Sequence, residues 1–361
     1  NIRAFYRYLG ATFFDMPLDV PPPRPLPRVS IFHPEADTAT VAAWQSRWIP
    51  QAPRVALPFY RAHLQAGNTR VIEALCQGLL EHGLNPLPIA VISLKEDPCL
   101  EAVRRLCRDY GVSLVLNATA FSRSAGNDED PALVDDLPVL QVLFSGSHQA
   151  AWEESPHGLQ PRDIAMQVAL PEMDGAIISR AVSFKARDHR SVHTQSDVVR
   201  YQPRQERIAF VSELARRWCH LRRRPNAAKR LGLVLANYPT REGRLGNGVG
   251  LDTPASVIAI LRRLATEGYG VEEIPADGED LMARLRQGVT NDPDRRAARP
   301  AHQSLAMAEY RAFFETLPEE NRRAVLERWG APEDDPMVRR FIRGEAEDEE
   351  LDRAIWQFLH D

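Results

Sequence analysis

The sequence predicts an α/β protein built from two related parallel-sheet modules with a helical C-terminal extension. Three observations carry this. An apolar strand, a capped helix and a second apolar strand follow one another between "RVALPF" and "LPIAVIS". A similar succession recurs between "LGLVLA" and "GVEEIP". Beyond Leu281 the pattern turns to helical spacing, in "AMAEYRAFFETLPEENRRAVLERWG".

Taken in order, the opening "NIRAFYRYLGATFF" reads as the tail of a helix, on a chain that starts without Met, as a piece of something larger would. "DVPPPRPLPR" is a proline-rich extended spacer. A polar helical stretch around Ala39 to Trp48 follows, so residues 1–50 form a lead-in. The first α/β module is expected over 51–200. "RVALPF" is a buried strand and "YRAHLQAG" a loop. Asn68 or Thr69 is a candidate helix cap, since its side-chain oxygen can accept an orphan backbone N–H. Val71, Ile72, Leu75 and Leu79 repeat at helical spacing, and Gly83 is the stop. Two strands joined this way form a right-handed parallel crossover.

The alternation continues with a helix in "CLEAVRRLCRDYG" and a strand in "VSLVLNAT". "LPVLQVLFSG" is another strand, and "RDIAMQVALPEMDG" a short helix running into an extended segment. "FKARDHRSVHTQSD" reads as a polar, histidine-containing passage before the second module, 201–361. There a long helix spans Arg204 to Arg223, and Leu231 to Ala236 is a candidate buried strand. Asp252-Thr253-Pro254 opens a helix, with proline in the first position, where its missing N–H costs nothing. Both modules fit the Rossmann or flavodoxin plan.

Composition excludes several classes. A net charge of −4 gives no field to hold nucleic acid or an anionic membrane. No run of about 18 apolar residues exists to span a bilayer. Cys76, Cys99, Cys107 and Cys219 stand apart, without CxxC pairs, so buried thiols in a reducing, cytoplasmic compartment are expected.

The glycines of "ANYPTREGRLGNGVGLDTPAS" invite a phosphate-cradle reading. A P-loop needs GxxxxGKS/T, and no lysine lies in this loop. A dinucleotide fingerprint needs GxGxxG directly after the strand. Here GxGxG falls well after it, and Asp252 at the helix start opposes phosphate. The other reading is a surface loop at the carboxyl end of a strand, where ligands dock in open α/β sheets. His189 and His193 stand four apart, as metal ligands on one helical face do, or belong to a solvated loop. The arginines of "LRRRPNAAKR" suit a helix C-terminus better than nucleic acid. Arg61 and His63 follow the first strand and His148 follows "VLFSG", all at ligand-facing or structural positions.

"LGLVLANYPTREGRLGNGVGLDTPAS", "FYRAHLQAGNT", "LNATAFS", "PVLQVLFSG" and "GLQPRDIAMQVALPEMDG" together resemble the family of aerobic cobaltochelatase large subunits and magnesium chelatase H subunits. The resemblance runs from about Pro25 to Leu285 and marks the chain as an N-proximal portion. It implies a corrinoid tetrapyrrole substrate, hydrogenobyrinic acid a,c-diamide, into which Co(II) is inserted as substrate ion. It implies ATP and Mg on partner AAA+ ATPase subunits rather than on this chain. The family's "HG…EF.PG" segment is absent, so the piece is expected to be inactive alone. Candidate substrate contacts are Arg61, His63, Asn68, Tyr238, Arg244, Asn247 and Asp252, with no metal site and no catalytic residue assigned. Arginine would pair ring carboxylates bidentately, Asn would orient, and Asp252 serves equally as a helix cap. A non-catalytic module docking partner subunits, or a nucleotide-sugar enzyme on the same plan, are the alternatives.

Overall fold

The computed structural model describes residues 2–22, 25–122, 133, 134, 136–236, 245–288, 300 and 305–331. The chain divides into two compact units, Asn1–Arg224 and Pro225–Asp361.

The first unit opens with helix α1 (Ile2–Phe13) and a hairpin of β1 (Val29–His33) and β2 (Ala36–Ala39). A short α2 (Val41–Gln45) leads to β3 (Arg54–Tyr60), α3 (Ala62–Gln65), α4 (Arg70–Glu81) and β4 (Asn85–Val91). Then come α5 (Asp97–Asp109), β5 (Val112–Asn117) and β6 (Val139–Ser145). A helical stretch of α6 (Gln149–Glu153), α7 (Pro161–Asp163), a π-helical turn Ile164–Ala169 and α8 (Leu170–Met173) precedes β7 (Ile177–Arg190). β8 (Asp197–Pro203) and α9 (Gln205–Arg223) complete the unit.

The strands form one mixed sheet in the order β2-β1-β4-β3-β5-β6-β7-β8. Its centre, β4-β3-β5-β6-β7, is parallel. β1 pairs antiparallel with β4 at one side, and β8 pairs antiparallel with β7 at the other. The expected crossover is present: β3 and β4 run parallel in register from Arg54↔Asn85 to Tyr60↔Val91.

Side-chain alternation along β3 separates two cores. Val55, Leu57 and Phe59 point to one face, packing with Val71, Ile72, Leu75 and Leu79 of α4 and Ile208, Val211 and Ala215 of α9. Ala56 points to the other, with Leu87, Ile89, Val103, Cys107 and Val115. Each fully buried Leu or Ile side chain contributes about 1.5–3 kcal/mol. All four cysteines are free and buried. Burial pushes the Cys107 thiol up to about 12.

Three local expectations change. "FKARDHR" is not a loop but part of β7, hairpinned to β8. It escapes an apolar-pattern reading because an outer hairpin is solvated and carries charge. "YRAHLQAG" contains the helical turn α3. Thr69 stands at the start of α4 without capping it through its side chain, because its hydroxyl donates to Glu73 Oε1 at 2.6 Å.

In the second unit, α10 (Thr253–Thr266), α11 (Gly278–Gln287), α12 (Met307–Glu315) and α13 (Glu319–Trp329) supply the C-terminal helices. The expected second sheet is not formed: no strand follows β8 among the described residues. Residues 231–236 and 270–275 run without ladder partners, and Leu231, Leu233 and Val234 are 58%, 50% and 93% exposed. An apolar run becomes a buried strand only with neighbours on both sides, and here only Leu235 and Ile274 join the small core of Val257, Ile258 and Leu281.

Candidate functional site

The parallel centre has the order of a doubly wound sheet, with the crossover from β3 going to β4 on one side and the chain then returning to β5 on the other. The crevice beyond the carboxyl ends at such a reversal is where open α/β sheets bind ligands. A cleft of about 310 Å³ lies there. Tyr60 ends β3, Ile92 and Ser93 follow β4, and Asn117 ends β5; all four line it.

The floor is polar and internally satisfied. Asn117 Nδ2 donates to Gln141 Oε1 at 2.7 Å, and Gln141 Nε2 donates to the Thr119 carbonyl at 2.7 Å. The Thr119 hydroxyl donates to Asn117 Oδ1 at 2.8 Å. Tyr60 Oη donates to the Ala120 carbonyl at 2.6 Å and accepts from its N–H at 3.1 Å. Burial raises the Tyr60 phenol above its ordinary value, and the Ala120 bond acts the other way.

Phe121, at the mouth, has φ 70, a left-handed conformation that costs a bulky residue about 1–3 kcal/mol. Its N–H donates to the Met166 carbonyl at 2.8 Å, inside the π-helical turn. Such turns are frequent where a helix is bent to a functional purpose. Lys95 Nζ lies 5.6 Å from the Phe121 ring centroid. Ser122 Oγ donates to Asp174 Oδ1 at 2.7 Å, just past the end of α8.

A second constellation surrounds the start of α4. His63 packs against Phe59, Phe144 and Tyr201, with ring centroids 6.5, 5.6 and 5.7 Å away. Burial lowers its pKa below the ordinary 6.5, while a hydrogen bond to the Asn68 backbone opposes that. Asn68 Oδ1 accepts from the Tyr201 N–H at 3.0 Å. Arg61 donates to the carbonyls of Pro27 at 2.6 Å and Leu26 at 3.1 Å, tying down the segment before β1. Beneath β6, Asp163 accepts from the Gly146 N–H at 2.7 Å, Gln167 Nε2 at 3.1 Å and Ser145 Oγ at 3.2 Å.

Arg61, His63 and Asn68 thus gather near the end of β3, each engaged by the protein's own groups. Tyr238 and Arg244 lie outside the described residues. Asn247 is exposed in the second unit, and Asp252 caps α10 by accepting from the Ala255 N–H at 3.0 Å. His148 occupies the cap position of α6. His189 hydrogen-bonds Asp188 at 3.0 Å within the β7–β8 hairpin. No group of three or more His, Cys, Asp or Glu is placed to hold a metal among the described residues. Also among them, no helix is long and apolar enough to cross a membrane. Sequence reasoning passed over Lys95, Phe121 and Asp174, although "LNATAFS" held part of the cleft.

The family model described as CobN/Magnesium Chelatase matches residues 1–348. The aerobic cobaltochelatase subunit CobN of Pseudomonas aeruginosa is 50% identical over 342 residues, 94% of this chain and 27% of that protein. The magnesium-chelatase H subunit of Chlorobaculum parvum is 27% identical over 307 residues, 79% of this chain and 23% of that protein. Among solved structures, the catalytic subunit of cobaltochelatase from Mycobacterium tuberculosis aligns with a TM-score of 0.62 and 31% identity, covering 92% of this chain and 27% of that one. The chain spans about a quarter of the length of these relatives. With most of its residues inside the family match and half of them identical to one member over nearly its whole length, the chain belongs to the CobN/magnesium chelatase family.

Proposed function

We propose that the chain is a segment of the large, tetrapyrrole-binding subunit of an ATP-dependent cobaltochelatase. In this reading the complete polypeptide binds hydrogenobyrinic acid a,c-diamide while Co(II), the substrate ion, is inserted in cobalamin synthesis. ATP and Mg are handled by AAA+ partner subunits. The observation that carries the reading is the 50% identity to a cobaltochelatase CobN, against 27% to a magnesium-chelatase relative. The cleft agrees with ATP acting elsewhere. Helix α5, which starts beside it, opens with Glu96 at its cap and Asp97 in its first turn, and acids there repel phosphate.

The finer, twin-module reading draws its support from the extended stretches of the second unit. Its extended residues 231–236 and 270–275 flank α10 in crossover order, and the bare side chains of Leu231, Leu233 and Val234 suit a second sheet completed by other segments of the polypeptide.

The test uses the intact polypeptide with its AAA+ partners, Mg-ATP and the corrinoid diamide, followed by the absorption change on metal insertion. Insertion of Co(II), dependent on ATP and in preference to Mg(II), is expected. Preference for Mg(II) with a porphyrin would move the chain to the magnesium branch, and no tetrapyrrole binding would end the reading.

A further inference from the structure

We propose that the cleft at the ends of β3, β4 and β5 is a binding site for a small monocarboxylate, with Lys95 as its counter-ion. The carboxylate belongs either to a free short-chain acid or to one acidic arm of a larger ring.

Size sets the first limit. Pockets for small ligands run from about 300 to 1,000 Å³. At about 310 Å³ this cleft admits a group of a few carbons and cannot enclose a tetrapyrrole.

Charge sets the second. Tyr60, Asn117 and Thr119 spend their polar atoms on one another, Gln141 and Ala120, so they fix the floor rather than seek a ligand. Lys95 forms no ion pair with any described residue, and its ammonium stands over the Phe121 ring. The Asp174 carboxylate, also on the lining, accepts from Ser122 Oγ and keeps its charge, so a bound carboxylate must sit on the Lys95 side. Among the described residues lining the cleft Lys95 is the one cation, and with Glu96 and Asp97 next in the chain it suits a single negative charge better than a phosphate dianion.

Shape sets the third. Leu94, Leu133, Val139, Pro171 and Ala176 give apolar walls that match a hydrocarbon body behind the carboxylate. Phe121 is held out of its preferred backbone region, with 43% of its surface exposed beside Lys95. Strain of this kind collects where a side chain must be presented.

The inference rests on the chelatase reading only for the ring arm; the free-acid arm stands without it. Sodium butyrate and neutral butyramide are titrated against the intact polypeptide by saturation-transfer NMR. Butyrate should bind and butyramide bind far more weakly. Lys95→Gln should weaken butyrate about tenfold, the loss of one charge-assisted bond, and Lys95→Arg should restore it. Lys95 is exposed, so neither change threatens folding. Equal binding of the two probes, or butyrate binding indifferent to Lys95→Gln, overturns the site.

The corrinoid diamide then separates the sources. Competition by butyrate, with weaker ring binding in Lys95→Gln, assigns the cleft to a ring arm. Ring binding untouched by both assigns it to a free acid. Failure of the wild type to bind any ring sinks the chelatase reading and leaves the butyrate result standing.

Discussion

Gly78 of α4 meets Ile208 of α9 with no room for a side chain between them. A Cβ at position 78 would stand 2.8 Å from Ile208 Cγ2 and 2.8 Å from Ser212 Oγ. Alanine normally stabilises a helix interior by about 1 kcal/mol over glycine. Here overpacking costs about 1–3 kcal/mol and opposes that gain. Gly78→Ala is expected to lower stability by about 1 kcal/mol, read as a lower urea midpoint at unchanged slope. A raised midpoint would mean that the two helices part without cost.

Asp163 holds the turn after β6. Asp163→Asn replaces one of the two acceptor oxygens with an N–H₂ group, which must face either the Gly146 N–H, bound to Oδ2, or the Gln167 Nε2, bound to Oδ1. Leaving buried donors unmet costs about 1–3 kcal/mol. Chemical denaturation of the variant should show that loss, and accelerated hydrogen exchange at Gly146 would place the new N–H₂ against that donor.

His63 makes stability depend on pH. Burial holds its folded pKa below the ordinary 6.5. The unfolded chain therefore binds the proton first as pH falls through 6.5, and the folded state loses stability until the folded pKa is passed. Urea midpoints measured from about pH 7.5 to about pH 5 should fall more steeply for wild type than for His63→Gln. Parallel slopes would show that the imidazole titrates freely.

Asp252→Ala removes the cap of α10. The expected loss is about 0.5–2 kcal/mol, confined to the second unit. Faster hydrogen exchange at the Ala255 and Ser256 amides is the readout, and unchanged exchange would remove Asp252 from the capping role.

The legible parts of the fold were those with one apolar period and two buried faces. Val55, Leu57 and Phe59 alternate in β3, and Val71, Ile72, Leu75 and Leu79 follow helical spacing in α4; the structure buries all seven. The β7–β8 hairpin was hidden because Lys185, Arg187 and Asp188 interrupt any apolar run, as charges do on strands near a sheet edge. Residues 231–236 misled in the opposite direction, since apolar composition does not supply strand partners. The site was half legible. "LNATAFS" marked its floor, but Lys95 and Asp174 come from distant stretches, and only the sheet order brings them to one cleft. Arg61 and Asn68, the stronger local signals, lie outside this cleft's lining and hydrogen-bond backbone groups.

The strand order has a consequence for how the protein is made. From β3 onward, β4 adds to one flank of β3, while β5, β6, β7 and β8 each join a neighbour already emerged from the ribosome. Only the β1–β2 hairpin must wait, because its docking edge, β4, is translated later. Growth of the sheet can therefore keep pace with synthesis, with β2 closing one side once β4 is made and the advancing edge on the other side left for chaperones to shield.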